Sequence, residues 1–317
     1  MNKNLKKIAV ASASTVLGAT VALSLSIPAQ AGSLKGPAQN FNVFVFEDLN
    51  VNSDAHGRVA VGGNATLNNF GTATKLPAEG AGDTLVVGGN LNYNGGQVFV
   101  GDVVVAGEAT LTNVGPENLT VRQGNPIDFD AAEQLYKNYS AQLGNLTDDS
   151  STLKILEFTT SSLASAIANG LNITLEENST VLVNVTGEEF NIDRGEIRLN
   201  GSPNGDFANR VLFNFVEATQ LNSTGFAWQG SVLAPLADYN EFSNGHINGQ
   251  LIAKSVTGTS GEFHIIAPNT GGSVQFDGNL PEPESVPEPL TILGSGMALG
   301  FGAFFKRQQS KKQKNAN

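Results

Sequence analysis

A nine-residue phrase occurs three times in the first half of this chain and restricts the fold more than any other feature. Val59-Ala60-Val61-Gly62-Gly63-Asn64-Ala65-Thr66-Leu67 returns as Leu85-Val86-Val87-Gly88-Gly89-Asn90-Leu91-Asn92-Tyr93. It returns more loosely as Val103-Val104-Val105-Ala106-Gly107-Glu108-Ala109-Thr110-Leu111, the two offsets being 26 and 18 residues. Each copy is a short β-branched stretch, a Gly-Gly-Asn turn or its relative, and a second alternating stretch, which is how one coil of a solenoid turns a corner. Glycine tolerates positive φ, and a following Asn does so at smaller cost, so left-handed corners are expected here. Unequal offsets put loops into some coils, as at Gly71 to Gly82. The expected fold is mainly β, a β-solenoid of the right-handed β-helix type.

After the third copy the period changes. Phe129, Ala132, Tyr136, Tyr139 and Leu143 recur at spacings of three and four, with Asp128 or Asp130 available as an N-cap and Gly144 as a stop. This predicts one amphipathic α-helix flanking the coils and covering apolar residues that they leave exposed. A shorter helical candidate runs from about Leu163 to Ala168, with Ser161 or Ser162 ahead of it. Strands are expected to resume at 173–175, 180–185, 196–199 and 211–215, and the last coils at 231–234, 250–254 and 262–266.

Both ends of the chain read as addresses. Lys3, Lys6 and Lys7, an apolar stretch from Ile8 to Ile27, and Ala29-Gln30-Ala31 form a secretory signal with cleavage after Ala31. At the other end, Val286-Pro287-Glu288-Pro289 precedes an apolar run from Leu290 to Phe305 and a basic cluster of Lys306, Arg307, Lys311, Lys312 and Lys314. As a helix at about 1.5 Å per residue this run reaches roughly 24 Å, a thin anchor for a hydrocarbon core of about 30 Å. The basic cluster should stay cytoplasmic. The chain then divides into a signal (1–31), a solenoid domain (32–278), a Pro/Glu-rich spacer (279–289), a transmembrane segment (290–305) and a basic tail (306–317).

With the two ends removed, ten Lys and Arg face 29 Asp and Glu, a charge of −19. Such a surface argues against nucleic acid and anionic lipid as partners of the exported part, since phosphate binding depends on concentrated basic residues. Cysteine is absent. Neither disulfides nor thiolate metal sites are available, and the domain must be stable through its core and backbone hydrogen bonds.

Two resemblances follow from these residues. The Pro-Glu-Pro box, the short Gly-containing apolar run and the basic end resemble a PEP-CTERM sorting signal. That likeness implies recognition by an exosortase after Sec-dependent export, transient membrane anchoring, and delivery to the surface or extracellular matrix of a Gram-negative-type bacterium that makes exopolysaccharide. Residues 41–268 are similar to the choice-of-anchor A family. The likeness is carried by the Gly-Gly-Asn repeats, Val211-Leu212-Phe213-Asn214-Phe215, Trp228-Gln229-Gly230-Ser231-Val232-Leu233-Ala234-Pro235, Gly245-His246-Ile247-Asn248-Gly249-Gln250-Leu251-Ile252-Ala253 and Gly261-Glu262-Phe263-His264. It implies a surface or matrix protein without an established shared enzymatic activity, and a polysaccharide or matrix protein as partner. A more distant likeness in shape is to ice-binding solenoids flanked by a helix.

Residues for chemistry are sparse. His246, Glu262 and His264 could form a divalent metal site, imidazole and carboxylate suiting zinc, or a polar ladder at the end of the solenoid. A polysaccharide lyase or hydrolase, the rival class, needs a carboxylate pair or a calcium ion with a basic residue on one face. Arg194, Glu196 and Arg198 would share one strand face with Asp193 opposite, which is also how a solvated outer strand reads. No cofactor is called for, apart from calcium as an alternative among acidic pairs such as Glu47-Asp48 and Glu188-Glu189. Ice binding, a minor alternative, would require threonines repeated coil after coil, and Thr66, Thr72, Thr74, Thr110 and Thr112 keep no single spacing. The reading is a non-enzymatic, exported surface or matrix protein that makes multivalent contact along an extended face.

Overall fold

The computed structural model describes residues 34–147, 152–204, 206–265 and 276–284. Within them the chain is a parallel β-solenoid-like sheet with two α-helices. The repeats stack as their spacing predicts: Val59 pairs with Leu85 and Leu85 with Val103, the same offsets of 26 and 18 residues. The longer coil takes its extra length from the segment after the strand Ala65–Thr72.

Three faces follow from the strand pairings. The first runs, neighbour by neighbour, through Leu153–Thr159, Thr180–Thr186, Val211–Phe215, residues 231–234, residues 251–253, Val43–Val45, Val59–Val61, Asp83–Val87, Asp102–Val105 and Val121–Gln123. All of these pairs are parallel. The first strand of the sequence therefore lies in the middle of the sheet, paired on one side with the last full coil (Val43 with Leu251) and on the other with the second (Val43 with Val59). The coils from Val43 build outward one way. The chain then returns along α1 (Phe129–Gly144) to the far end, and coils back until it meets its own beginning.

Alternation on this face explains the helix. Val43, Val45, Val59, Val61, Leu85 and Val87 point into the solenoid, while Phe44, Ala60, Val86, Leu182, Leu212, Leu233 and Ile252 form a second apolar layer on its outside. Covering that layer is the work of α1, whose Phe129, Ala132, Tyr136, Tyr139 and Leu143 are all buried against it. Asp128 is the cap, accepting a hydrogen bond from the Ala131 amide at 3.0 Å. At the C-terminal end the outer row turns polar. Asn214 donates to Asn184 Oδ1 (2.9 Å) and the Ser140 carbonyl (2.9 Å), Ser140 Oγ donates to Asn214 Oδ1 (2.6 Å), and Asn184 donates to the Leu143 carbonyl (2.9 Å). These buried amides fix how far α1 slides along the face.

The second helix, α2 (Thr160–Ala168), begins three residues earlier than its apolar pattern suggests. Its cap is Thr159, in a reciprocal capping box with Ser162. Leu163 and Ile167 are buried in the interior core. They face the coil of Leu153–Thr159, which among the described residues pairs with Thr180–Thr186 alone, so α2 closes the apolar interior at that end. Among the described residues the two α-helices are thus the flanking one and the shorter candidate, the latter capping an end of the interior.

The glycine corners work differently from their sequence reading. Gly62, Gly63, Gly88, Gly89 and Gly107 all lack positive φ. What excludes a side chain is the coil beneath: a Cβ on Gly88 would strike the carbonyl of Gly62, and one on Gly89 or Gly107 would lie 2.6 Å from the carbonyl of Gly63 or Gly89. Asparagine at these corners is an acceptor for the next coil. Asp48 Oδ1 receives the Asn64 amide (2.7 Å), Asn64 Oδ1 the Asn90 amide (3.0 Å) and Asn90 Oδ1 the Glu108 amide (2.8 Å). Left-handed backbone does occur, at another corner. Ser53, Asn69, Gly95 and Asn113 have φ of 101°, 48°, 72° and 55°, and they bend Leu49–Ala55, Ala65–Thr72, Leu91–Val98 and Ala109–Gly115 from the second face to the third.

The start of the expected spacer lies on the domain. Phe276 is buried with the α1 layer, the Asn279 amide donates to Thr180 Oγ1 (2.6 Å), and Tyr139 donates to the Pro281 carbonyl (2.9 Å). Among the described residues no helix is long and apolar enough to cross a membrane. The signal with Ala29 and Ala31, Val286 to Pro289, the apolar run and the cluster Lys306, Arg307, Lys311 and Lys312 lie outside the described residues.

Candidate functional site

Two surfaces carry ordered polar side chains. On the second face Leu49, Val51, Ala65, Leu67, Leu91 and Tyr93 fill the interior, so the residues between them must point outward. Strand register lines these up. Thr257, Asn50, Thr66, Asn92 and Thr110 form one row, and Asn52, Asn68, Asn94 and Thr112 a second. On the C-terminal coils Asn191, Asn222 and Asn240 align in the same way, with Asn222 Nδ2 donating to Asn191 Oδ1 at 2.6 Å. Parallel strands stand about 4.8 Å apart, so each row is a string of amides and hydroxyls at that repeat. Counting threonines in sequence misses these rows because the coils differ in length and asparagine takes alternate places. Thr66 and Thr110 do share a row, whereas Thr72 is buried and Thr74 lies beyond the strand.

The third face gathers all three histidines. His246, Glu262 and Asp54 are register partners across the strands His246–Asn248, Glu262–His264 and Leu49–Ala55. The His264 ring stacks on His56 (centroids 4.4 Å apart, planes 7° apart) and on His246 (4.4 Å, 19°). His264 Nε2 lies 2.8 Å from Glu262 Oε2 and its Nδ1 3.2 Å from Asn248 Oδ1, while His56 Nδ1 accepts the Ile265 amide at 3.2 Å. The residues expected to ligate a metal are thus neighbours, but as a column of parallel rings in which both His264 nitrogens and His56 Nδ1 are engaged with protein. Among the described residues no group of three or more His, Asp or Glu is arranged to hold a metal ion. The column stands in mid-solenoid, at the seam between first and last coils, and not at an end.

Burial, followed by repulsion from His264, pushes His56 down to about 4 and also lowers His246. The hydrogen bond from His264 holds Glu262 below the usual carboxylate range. Asp54 moves the opposite way, raised by burial and then by Glu262.

The residues weighed for catalysis do not form a strand face. Asp193, Arg194 and Glu196 lie between strands, with Gly195 at φ 132° breaking the extension, and only Arg198 is in a strand, Ile197–Leu199. Arg198 pairs with Glu196 at 2.7 Å, and Asp193 and Arg194 are exposed. Trp228 is fully buried among Phe190, Phe213, Phe215 and Phe226, donating to Tyr239 Oη at 2.8 Å, which removes it from any sugar-binding surface.

A solenoid whose first and last coils close on each other, braced by a helix on one face and laddered with amides and hydroxyls on another, is a rigid scaffold for presenting a surface. The chain belongs to the family described as "Putative Ice-binding-like adhesive domain", whose model matches residues 34–265. Similar solved structures include an ice-binding protein from the Antarctic ascomycete Antarctomyces psychrotrophicus (14% identity, 77% of this chain and 99% of that one, TM-score 0.35). A glycosylated ice-binding protein from an Arctic yeast is another (13%, 76% and 98%, TM-score 0.33). No curated protein matches the chain.

Proposed function

We propose that this protein is an exported adhesin of the cell surface or extracellular matrix, and that its Asn/Thr-laddered second face binds polysaccharide or another matrix protein. The observation that carries this is the pair of registered rows, Thr257-Asn50-Thr66-Asn92-Thr110 and Asn52-Asn68-Asn94-Thr112, on a member of an adhesive family. A row of weak donors and acceptors at one repeat gains strength by engaging a repeating partner at many points at once. Delivery follows the sequence: Sec export with cleavage after Ala31, exosortase recognition of Val286-Pro287-Glu288-Pro289, and transient retention by the apolar run and basic tail. The finer likenesses, to choice-of-anchor A proteins, to PEP-CTERM signals and to a right-handed coil, belong to this reading and rest on the motifs.

The full chain and a variant with Asn92 and Thr110 changed to alanine are assayed on a panel of bacterial polysaccharides, with chromatography of the polymer afterwards. Binding without shortening, weakened tenfold or more in the variant, is expected. Shorter oligosaccharides would replace this reading by the lyase or hydrolase alternative. Mass spectrometry of protein from native cells should show loss of residues beyond about Pro289, and an intact C-terminus on all mature chains would refute the sorting claim. The same rows favour one second reading, ice as the repeating partner. Inhibition of ice recrystallisation, lost on the same double substitution, would establish it.

A further inference from the structure

On the third face, next to the histidine column, one row of side chains is interrupted. Asp54 is the register partner of Gly71, and Gly71 of Gln97. The outward row therefore reads carboxyl, nothing, amide across two strand spacings, about 10 Å. A Cβ on Gly71 would sit 2.8 Å from Thr74 Cγ2, 3.1 Å from Asp54 Cβ and 3.4 Å from Phe99 Cε2, so Thr74 and Phe99 close over the strand at Gly71 and occupy the space a side chain would take. Around them runs an open surface groove of about 470 Å³ lined by Asp54, Gln97, Asn69, Thr74, Phe99 and neighbouring backbone. Phe99 is 49% exposed, an apolar ring on an otherwise polar surface. Asp54 receives the Thr74 hydroxyl on Oδ2 (3.3 Å), and its Oδ1, although covered, has no hydrogen-bond partner among the described residues. An unmet buried acceptor costs about 1–3 kcal/mol, and the broad terminal torsion of Asp lets either oxygen turn toward the groove.

We infer that this groove is a subsite for one neutral sugar residue, its ring face on Phe99 and a pair of vicinal hydroxyls on Asp54, with Gln97 closing the far side. An aromatic ring suits the C–H face of a pyranose, and a carboxylate accepts from two adjacent hydroxyls. Asp54 and Glu262 side by side disfavour a uronate. The subsite rests on the adhesive reading and adds to it a second contact, on a different face from the ladder.

The test is titration calorimetry of the full chain with neutral tetrasaccharides of glucose, mannose and galactose, and with a tetrasaccharide of uronic acids. Phe99→Ala, Asp54→Asn and Gly71→Val are compared with the second-face double variant, and Trp228 fluorescence checks folding. Binding of one neutral tetrasaccharide, weakened tenfold or more by Phe99→Ala and by Asp54→Asn, abolished by Gly71→Val, unaffected by the second-face variant and at least tenfold weaker for the uronate, is expected. Neutral binding that survives in folded Phe99→Ala and Asp54→Asn overturns the subsite and leaves the adhesive reading standing. So does a wild-type chain that binds polymer through the ladder and no tetrasaccharide. A chain that binds neither polymer nor tetrasaccharide overturns both.

Discussion

Replacing Asn214 with alanine removes one amide from the contact between the outer face of the solenoid and α1, and the structure allows the cost to be estimated. Three hydrogen bonds disappear: Asn214 to Asn184 Oδ1, Asn214 to the Ser140 carbonyl, and Ser140 Oγ to Asn214. Asn214, Asn184 and Ser140 are all buried, so the stranded Asn184 oxygen and Ser140 hydroxyl gain no water in exchange. At about 1–3 kcal/mol for the stranded Asn184 oxygen, and with the Ser140 hydroxyl free to turn to its own helix backbone, the loss should be about 2–3 kcal/mol. That is a large share of the roughly 5–15 kcal/mol a domain possesses. The assay is urea unfolding followed by Trp228, the single tryptophan, which is fully buried and reports the interior core. A triple variant, Asn184→Leu, Asn214→Leu and Ser140→Ala, extends the neighbouring Leu233–Ile252 row and strands few groups. It should lose less than half of what Asn214→Ala loses. If Asn214→Ala costs under about 1 kcal/mol at an unchanged denaturant slope, or if the triple variant is the less stable, these amides do not hold α1 in place.

Other expectations concern the histidine seam and the glycine corners. An imidazole that titrates near 4 in the folded chain and near 6.5 when unfolded binds fewer protons folded, so stability should fall as pH drops from about 6.5 to 4 and level off below. Unscreened, the His56 difference would be worth about 3 kcal/mol, and partial exposure of the ring reduces it to about 1–2 kcal/mol. The lowered Glu262 adds loss in the same direction below 4.5, while the raised Asp54 opposes it by favouring its protonated form. Urea midpoints at pH 7, 5.5 and 4.5 should fall less steeply for His56→Gln than for wild type, and equal slopes would exclude the ring as the cause. Gly88→Ala, whose Cβ meets the Gly62 carbonyl, should cost about 3 kcal/mol, and Gly80→Ala, at φ +71° in open space, about 1–2 kcal/mol. The reverse order in thermal unfolding would show that backbone conformation, and not contact between coils, selects these glycines.

Much of the architecture is legible in the sequence. The offsets of the Gly-Gly-Asn phrase are the coil lengths, and the spacing of Phe129 to Leu143 is the buried stripe of α1, because a side chain's direction follows from the 2.0 and 3.6 residue periods themselves. The role of the corner glycines is not legible in the sequence, since close approach and positive φ select the same residue. Thr159 is hidden as a cap because it ends a strand, Leu153–Thr159, and begins a helix at once. The expected strand face at Arg194, Glu196 and Arg198 failed at Gly195, whose positive φ no periodicity announces.

By itself the sequence determined what each short segment could be: a coil, a corner, a helix with one apolar side, and ends that read as addresses. Those are local properties, set by neighbours a few residues away. Only the tertiary structure decided that the first coil pairs with the last, that asparagines and threonines from coils of unequal length fall into rows, that three distant histidines stack, and that Asp54, Thr74, Gln97 and Phe99 line one groove. Each depends on which residues lie opposite one another across strands, and that register is fixed by how all the coils pack together around a common core.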